Sequence, residues 1–133
     1  MPLYRVLTRP NLLSEQQRVA FSQDVVNVHC GVTGAPRSFV HVIYAEDDEG
    51  KLQGSIKAMV LGTIRNGRSE AAKQEIREGL SKALTNRAGV DTTDVATLTV
   101  DIEASYTMEG GKLLPEPGSP EEEEWKALSS ATP

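Results

Sequence analysis

The feature that most constrains this chain is an order of periodicities that occurs twice: a β-like run, a segment with helical spacing, then a second β-like run. In the first pass, Tyr4 to Thr8 alternate weakly and run into Pro10-Asn11, which predicts a strand over residues 2 to 8. Ser14 with Gln17 is a capping-box pattern. Val19, Phe21, Val25, Val26 and Val28 then carry a helix to near Cys30, with Gly31 as its left-handed cap and His29 in its last turn. Gly34-Ala35-Pro36 punctuates, Ser38 to Glu46 is β-branched and aromatic enough to predict a strand, and Asp47-Asp48-Glu49-Gly50 closes it as a solvated turn.

The second pass repeats the order. Lys57 to Ile64 reads as a strand, Ser69 caps a helix whose stripe is Ile76, Leu80, Ala83 and Leu84, and Val95 to Glu103 is a strand with Ala96, Leu98, Val100 and Ile102 on one face. The expected class is α/β: two tandem β-α-β units, approximately 2–48 and 57–104, within one domain over 2–113. The helices open alike, with Ser14-Glu15-Gln16-Gln17-Arg18 and Ser69-Glu70-Ala71-Ala72-Lys73. Internal duplication and the plain alternation of a small α/β chain both account for that. Beyond Glu103, glycines and prolines mark a loop. Residues 114–133 read as a turn and an acidic tail, in which four consecutive glutamates lead into Trp125 and one short helix.

Composition narrows the partners. A chain of 133 residues can bury a real core, and with only six aromatics that core must be mostly aliphatic. One cysteine excludes an internal disulfide and a Cys-x-x-Cys metal knuckle, which fits a reduced cytoplasmic compartment. Neither a spanning apolar stretch nor a basic-then-apolar leader is present, so no membrane or secretory role is expected. A net charge of −5 opposes nucleic acid. Most of the excess lies in residues 115–133, with five acidic side chains and one basic, which leaves room for a small carboxylate elsewhere.

Several residues are candidates for chemistry, each with a plain alternative. Removal of Met1 ahead of Pro2 leaves a secondary amine at the terminus. An α-amino group titrates near pH ~8 in water, so its surroundings decide whether it acts as base or acid; a trimmed terminus with no role is the alternative. Arg65 and Arg68 stand three residues apart where a strand exits into the Ser69 helix cap, a place that suits a carboxylate, or they are two solvated loop residues. At its helix end, His29 is favoured as imidazolium and oxyanion donor, or it caps the last carbonyls. Glu109, in a glycine-rich loop, can activate water or take a proton, and Tyr106 nearby has the same ambiguity. No metal is expected, since the side chains of adjacent His29 and Cys30 diverge and His41 is the only other histidine.

Taken in order along the chain, Met1-Pro2-Leu3-Tyr4, His29 followed by Gly31-Val32-Thr33-Gly34, Arg65-Asn66-Gly67-Arg68-Ser69, and Glu109 before Gly111 and Leu114-Pro115-Glu116-Pro117-Gly118 resemble the tautomerase superfamily. Within it, the similarity is to the cis-3-chloroacrylic acid dehalogenase group. The resemblance implies a four-stranded sheet with two helices on one face, a homotrimer and no cofactor. It also implies an N-terminal proline as catalytic acid or base, Arg65 and Arg68 on the substrate carboxylate, His29 as a substrate-binding histidine, and Glu109 as the acid that activates water. Val100 stands where the dehalogenases carry a tyrosine, and a valine cannot orient water. The expected activity is therefore keto–enol tautomerisation of a small 2-oxo acid. The alternatives are hydration or hydrolytic dehalogenation of a 3-substituted acrylate, and a non-catalytic trimer that binds a small acid or serves as a scaffold.

Overall fold

The computed structural model describes residues 1–130; positions 131–133 of the expected tail lie outside the described residues. Four strands, β1 (Leu3–Thr8), β2 (His41–Glu46), β3 (Ala58–Arg65) and β4 (Val95–Ile102), form one mixed sheet in the order β2-β1-β3-β4. β1 runs parallel to β2 and antiparallel to β3, and β3 runs parallel to β4, so each parallel pair is bridged by one helix. Helices α1 (Glu15–Thr33) and α2 (Glu70–Ala88) cover one face. The α/β expectation and its two β-α-β units are what the molecule shows.

Helix ends follow local chemistry. The Ser14 side chain accepts from Gln17 N–H while the Gln17 side chain accepts from Ser14 N–H, and Ser69 accepts from Ala72 N–H. The predicted C-cap of α1 needs correction. Gly31 is an interior helical residue, and the chain leaves the helix one turn later at Gly34, whose φ of 73° is the left-handed conformation glycine adopts freely. His29 is consequently not in the last turn. It continues the inward stripe Phe21, Val25, His29, with steps of four residues that keep all three on the core face.

The core is aliphatic, as the composition requires. Val6, Val60 and Ile64 from the sheet meet Val25, Ile76, Leu80 and Leu84 from the helices, with Tyr4 and Phe21 the large aromatics among them. Val19, expected on the apolar side of α1, is 55% exposed. The helices cross closely at Gly79, where a Cβ would lie 2.9 Å from Val28 Cγ1. On the other face of the sheet, Ile43, Leu98 and Val100 remain largely exposed, so the apolar side of β4 is uncovered within one chain.

Three further segments differ from expectation. The second strand starts at His41, because Arg37–Phe39 form a 3₁₀ turn that buries Phe39. Asp47, read as solvated, is buried, and its carboxylate accepts from Lys51 N–H at 2.8 Å and Leu52 N–H at 2.7 Å. The loop after β4 contains a hairpin, β5 (Met108–Glu109) and β6 (Lys112–Leu113), joined by Gly110-Gly111 with both φ positive. Helix α3 (Pro120–Ser130) closes the described chain.

Gly62 of β3 is held by packing. A Cβ there would stand 2.5 Å from Tyr4 Cε1, and moving that ring breaks its polar contact described below. Gly62→Ala is expected to destabilise by about 1–3 kcal/mol. Gly31→Ala, in an exposed helical position with nothing within 4 Å, is expected to stabilise by about 0.5–1 kcal/mol. Urea midpoints at constant m measure both, and equal effects of the two substitutions would contradict the packing role of Gly62.

Candidate active site

The antiparallel pairing of β1 with β3 brings the start of one strand to the end of the other. Leu3 pairs with Thr63, and Arg65 pairs with Ile102 across the β3–β4 ladder. One end of the sheet therefore gathers residues 1–2, the entry to β2, and the exits of β3 and β4. Pro2 is buried there, with its carbonyl accepting from His41 N–H at 3.1 Å. The amine of Met1 donates to the Phe39 carbonyl at 3.2 Å and forms an ion pair with the Glu109 carboxylate. The hairpin thus returns Glu109 to the N-terminus across more than a hundred residues of chain.

His29 reaches the same end from α1. Its Nδ1 lies 2.7 Å from the Tyr4 hydroxyl, with the rings edge-on at 5.7 Å between centroids. With the Tyr4 O–H donating, the ring proton sits on Nε2. The expected imidazolium gives way to a neutral ring. Burial, then the positive charges of Arg68, the N-terminal amine and Arg65, lower its pKa from 6.5 to about 4. Desolvation and three cations outweigh a helix dipole whose end lies a turn further on. Tyr4, by contrast, is held in its protonated form, chiefly by burial.

The two arginines differ. Arg65 is buried and held by the C-terminal segment: Nη1 donates to the Pro115 carbonyl at 2.5 Å, Nη2 to Glu122 Oε2 at 2.7 Å, and its guanidinium lies 4.7 Å above the Trp125 ring. Trp125 in turn packs on Phe39 at 4.2 Å between ring centroids. Arg68 is half-buried. It makes no hydrogen bond or ion pair among the described residues. Burial and then the charge of Arg65 push its pKa down, so its cation lacks full compensation and an anion placed there would supply it. Gly67, with φ of 97°, makes the turn between them, and its Cα side is closed by Pro117, 3.0 Å from where a Cβ would be. The Asn66 Oδ1 atom beside them is buried without a hydrogen-bond partner among the described residues.

Pro2, His29, Arg65, Arg68 and Glu109 thus come to one end of the sheet. Tyr106 does not join them; it is 79% exposed in a 3₁₀ turn over Ala104–Tyr106. Val100 points from the uncovered face of β4. Four residues of the site carry no chemical motif of their own: Tyr4, Phe39, Glu122 and Trp125. The one available signal is the single tryptophan three residues after Glu122, a spacing that puts both on one side of a helix. Among the described residues no group of three or more His, Cys, Asp and Glu side chains could hold a metal ion, and no helix is long and apolar enough to cross a membrane.

The neutral His29 has a thermodynamic consequence. Its lowered pKa means that the unfolded chain binds the proton first, so stability falls as pH drops from about 6.5 and levels off below about 4, by roughly 3 kcal/mol in all. Asp47, held low by the Leu52 and Lys51 N–H groups, and Glu70, held low by Arg77, lose their contributions at lower pH, as pH falls from about 4 through their own values. Denaturant titrations of wild type and His29→Gln between pH 7 and 4.5 are expected to show the steeper fall only in wild type; parallel curves would contradict a neutral His29.

Residues 1–130 match the model of the Tautomerase_3 family, described as "Putative oxalocrotonate tautomerase enzyme". Among solved structures, native Ps01740 is 33% identical with a TM-score of 0.75, over 80% of this chain and 99% of its own. N1, a member of the cis-3-chloroacrylic acid dehalogenase family, is 27% identical with a TM-score of 0.84, over 97% of this chain and 96% of its own. Q0 fused 4-OT, solved as a symmetric trimer, shares the fold at 20% identity and a TM-score of 0.74, over 84% of this chain and 94% of its own. No curated protein matches. A family model matched from the first residue to the end of α3, on a chain whose terminus opens the central strand of a β-α-β pair, has one consequence: this chain belongs to the Tautomerase_3 family of the tautomerase superfamily.

Proposed function

We propose that the protein is a cofactor-independent tautomerase that interconverts the enol and keto forms of a small 2-oxo carboxylic acid. The observation that supports this reading is the closeness of the Met1 amine, one residue ahead of Pro2, to Glu109 and to His29, with Arg68, which has no hydrogen bond or ion pair among the described residues, acting on the same histidine. Loss of Met1 would free the Pro2 amine. Arg68 then holds the carboxylate, and the Nε2–H of His29 donates to the 2-oxygen, where negative charge develops. The proline nitrogen takes the proton from the enol hydroxyl and delivers it to C3, so the O–H bond breaks, the C–O bond becomes C=O, and the C2=C3 double bond becomes single as its π electrons form the new C3–H bond. A neutral donor suits the step, because it stabilises the enolate oxygen without surrendering its proton. Glu109 is an auxiliary group that steadies the charged amine between transfers.

The assembly we propose is a homotrimer. Ile43, Leu98 and Val100 form an apolar sheet face that a single chain leaves uncovered, and the similar fused 4-OT protein was solved as a trimer. A second reading has its own support: a carboxylate beside the terminal amine is also what hydration or hydrolytic dehalogenation of a 3-substituted acrylate requires, and N1 belongs to the dehalogenase family. Val100, which offers no hydroxyl, ranks that reading second.

Intact mass establishes whether Met1 is removed, and a retained methionine would deny the amine its role. Ketonisation of phenylpyruvate enol is expected to lose roughly 10²–10⁴-fold in kcat/KM in Pro2→Ala, with a raised KM in Arg68→Ala. Undiminished activity in both variants would place the chemistry elsewhere. Halide release from cis- or trans-3-chloroacrylate that disappears in Glu109→Gln would promote the second reading.

A further inference from the structure

Helix α3 carries four consecutive glutamates, and only Glu122 turns inward; Glu121, Glu123 and Glu124 are exposed. Helical spacing puts Trp125 on the same side one turn later. Together they clasp Arg65, the carboxylate on Nη2 and the ring against the guanidinium. Arg65 is buried at 6% exposure and Glu122 is partly buried at 13%. Burial opposes the charge on Glu122, but the Arg65 hydrogen bond and charge, the Gly118 N–H and Lys126 outweigh it and hold the carboxyl ionised. Arg68, three residues along, has no such partner among the described residues.

We infer that α3 is an internal competitor for the substrate site: the Glu122 carboxylate occupies Arg65 as a substrate carboxylate would, and a substrate that engages both arginines must displace it. This rests on the carboxylate reading of the site proposed above. Two features make displacement feasible. Exchanging one carboxylate for another on Arg65 leaves no buried charge unpaired, so the desolvation penalty of breaking a buried pair is not incurred. The clasp is also carried on a short helix of 11 residues that follows the Leu114–Gly118 segment, in which Pro117 packs beside Gly67. In this arrangement Arg68 captures the incoming anion, Arg65 is delivered when Glu122 leaves, and affinity is set by how often the clasp is open. A clasp closed nine-tenths of the time weakens apparent affinity about tenfold.

The chain contains a single tryptophan, and it is part of the clasp, so its fluorescence reports the state of α3. In Glu122→Gln without ligand, Trp125 emission is expected to shift to the red and amide exchange in residues 121–127 to quicken. Propanoate, which is transparent at these wavelengths, is expected to bind Glu122→Gln about tenfold more tightly than wild type and to drive wild-type Trp125 emission toward that of the variant. Glu122→Asp, which keeps the charge on a shorter arm, should fall between them; thermal midpoints confirm that the variants are folded. Propanoate binding that is lost in Arg68→Ala, yet equal or weaker in Glu122→Gln than in wild type, would overturn the competitor and leave the carboxylate reading standing. Failure of propanoate to bind wild type and both Glu122 variants would overturn the two together.

Discussion

β1 is hydrogen-bonded along its whole length on both sides, parallel to β2 and antiparallel to β3, starting from its first residue, Leu3. A strand in that position cannot fray, and the two residues before it are carried into the interior rather than left as a loose end. Everything else about the site is measured from this fixed terminus. The antiparallel β1–β3 pairing sets the arginine turn opposite residues 1–2, the parallel β1–β2 pairing brings Phe39 beside them, and the β5–β6 hairpin returns Glu109 to the amine. In an all-parallel sheet the start of β1 and the end of β3 would lie at opposite ends of the molecule.

Electrostatics at this end of the sheet is governed by desolvation. Arg65, Arg68 and the terminal amine crowd a histidine already out of water, and the ring answers by remaining neutral. Its polarity is kept by Tyr4, whose hydroxyl reaches Nδ1 because Gly62 leaves room for the tyrosine ring. The consequence is a donor that does not add to the local positive charge, next to a cation, Arg68, that has no ion pair among the described residues. An acidic protein can therefore carry local positive charge at this end of the sheet: its excess carboxylates are concentrated in the C-terminal segment, and one of them is used to neutralise Arg65.

The C-terminal segment is accordingly more than a tail. Leu114 is buried, Pro115 and Glu122 satisfy Arg65, and Trp125 joins that arginine to Phe39. A guanidinium is well suited to this bridge, since its planar face stacks on the indole while its edge donates to oxygen. The same contacts that hold α3 against the sheet also occupy Arg65, so the C-terminal segment and the end of β3 share one side chain.

By itself, the sequence determined the elements and their order. Capping at Ser14 and Ser69, the four-residue stripes of α1 and α2, and the β-branched runs are local signals, and local hydrogen bonding and side-chain period are enough to place them. It also placed Pro2, Arg65, Arg68 and Glu109 at element boundaries or within a turn, whereas His29 lies inside α1 because Gly34, not Gly31, provides the cap. Tertiary structure alone decided their states. Glu122 was indistinguishable from three neighbouring glutamates until helix phase and a partner 57 residues away selected it; His29 became neutral through burial among charges from distant segments; and the two arginines, equivalent in spacing, were divided by one carboxylate. Hydrogen-bond partners, burial and charge at such sites depend on groups remote in sequence, and no local pattern carries that information.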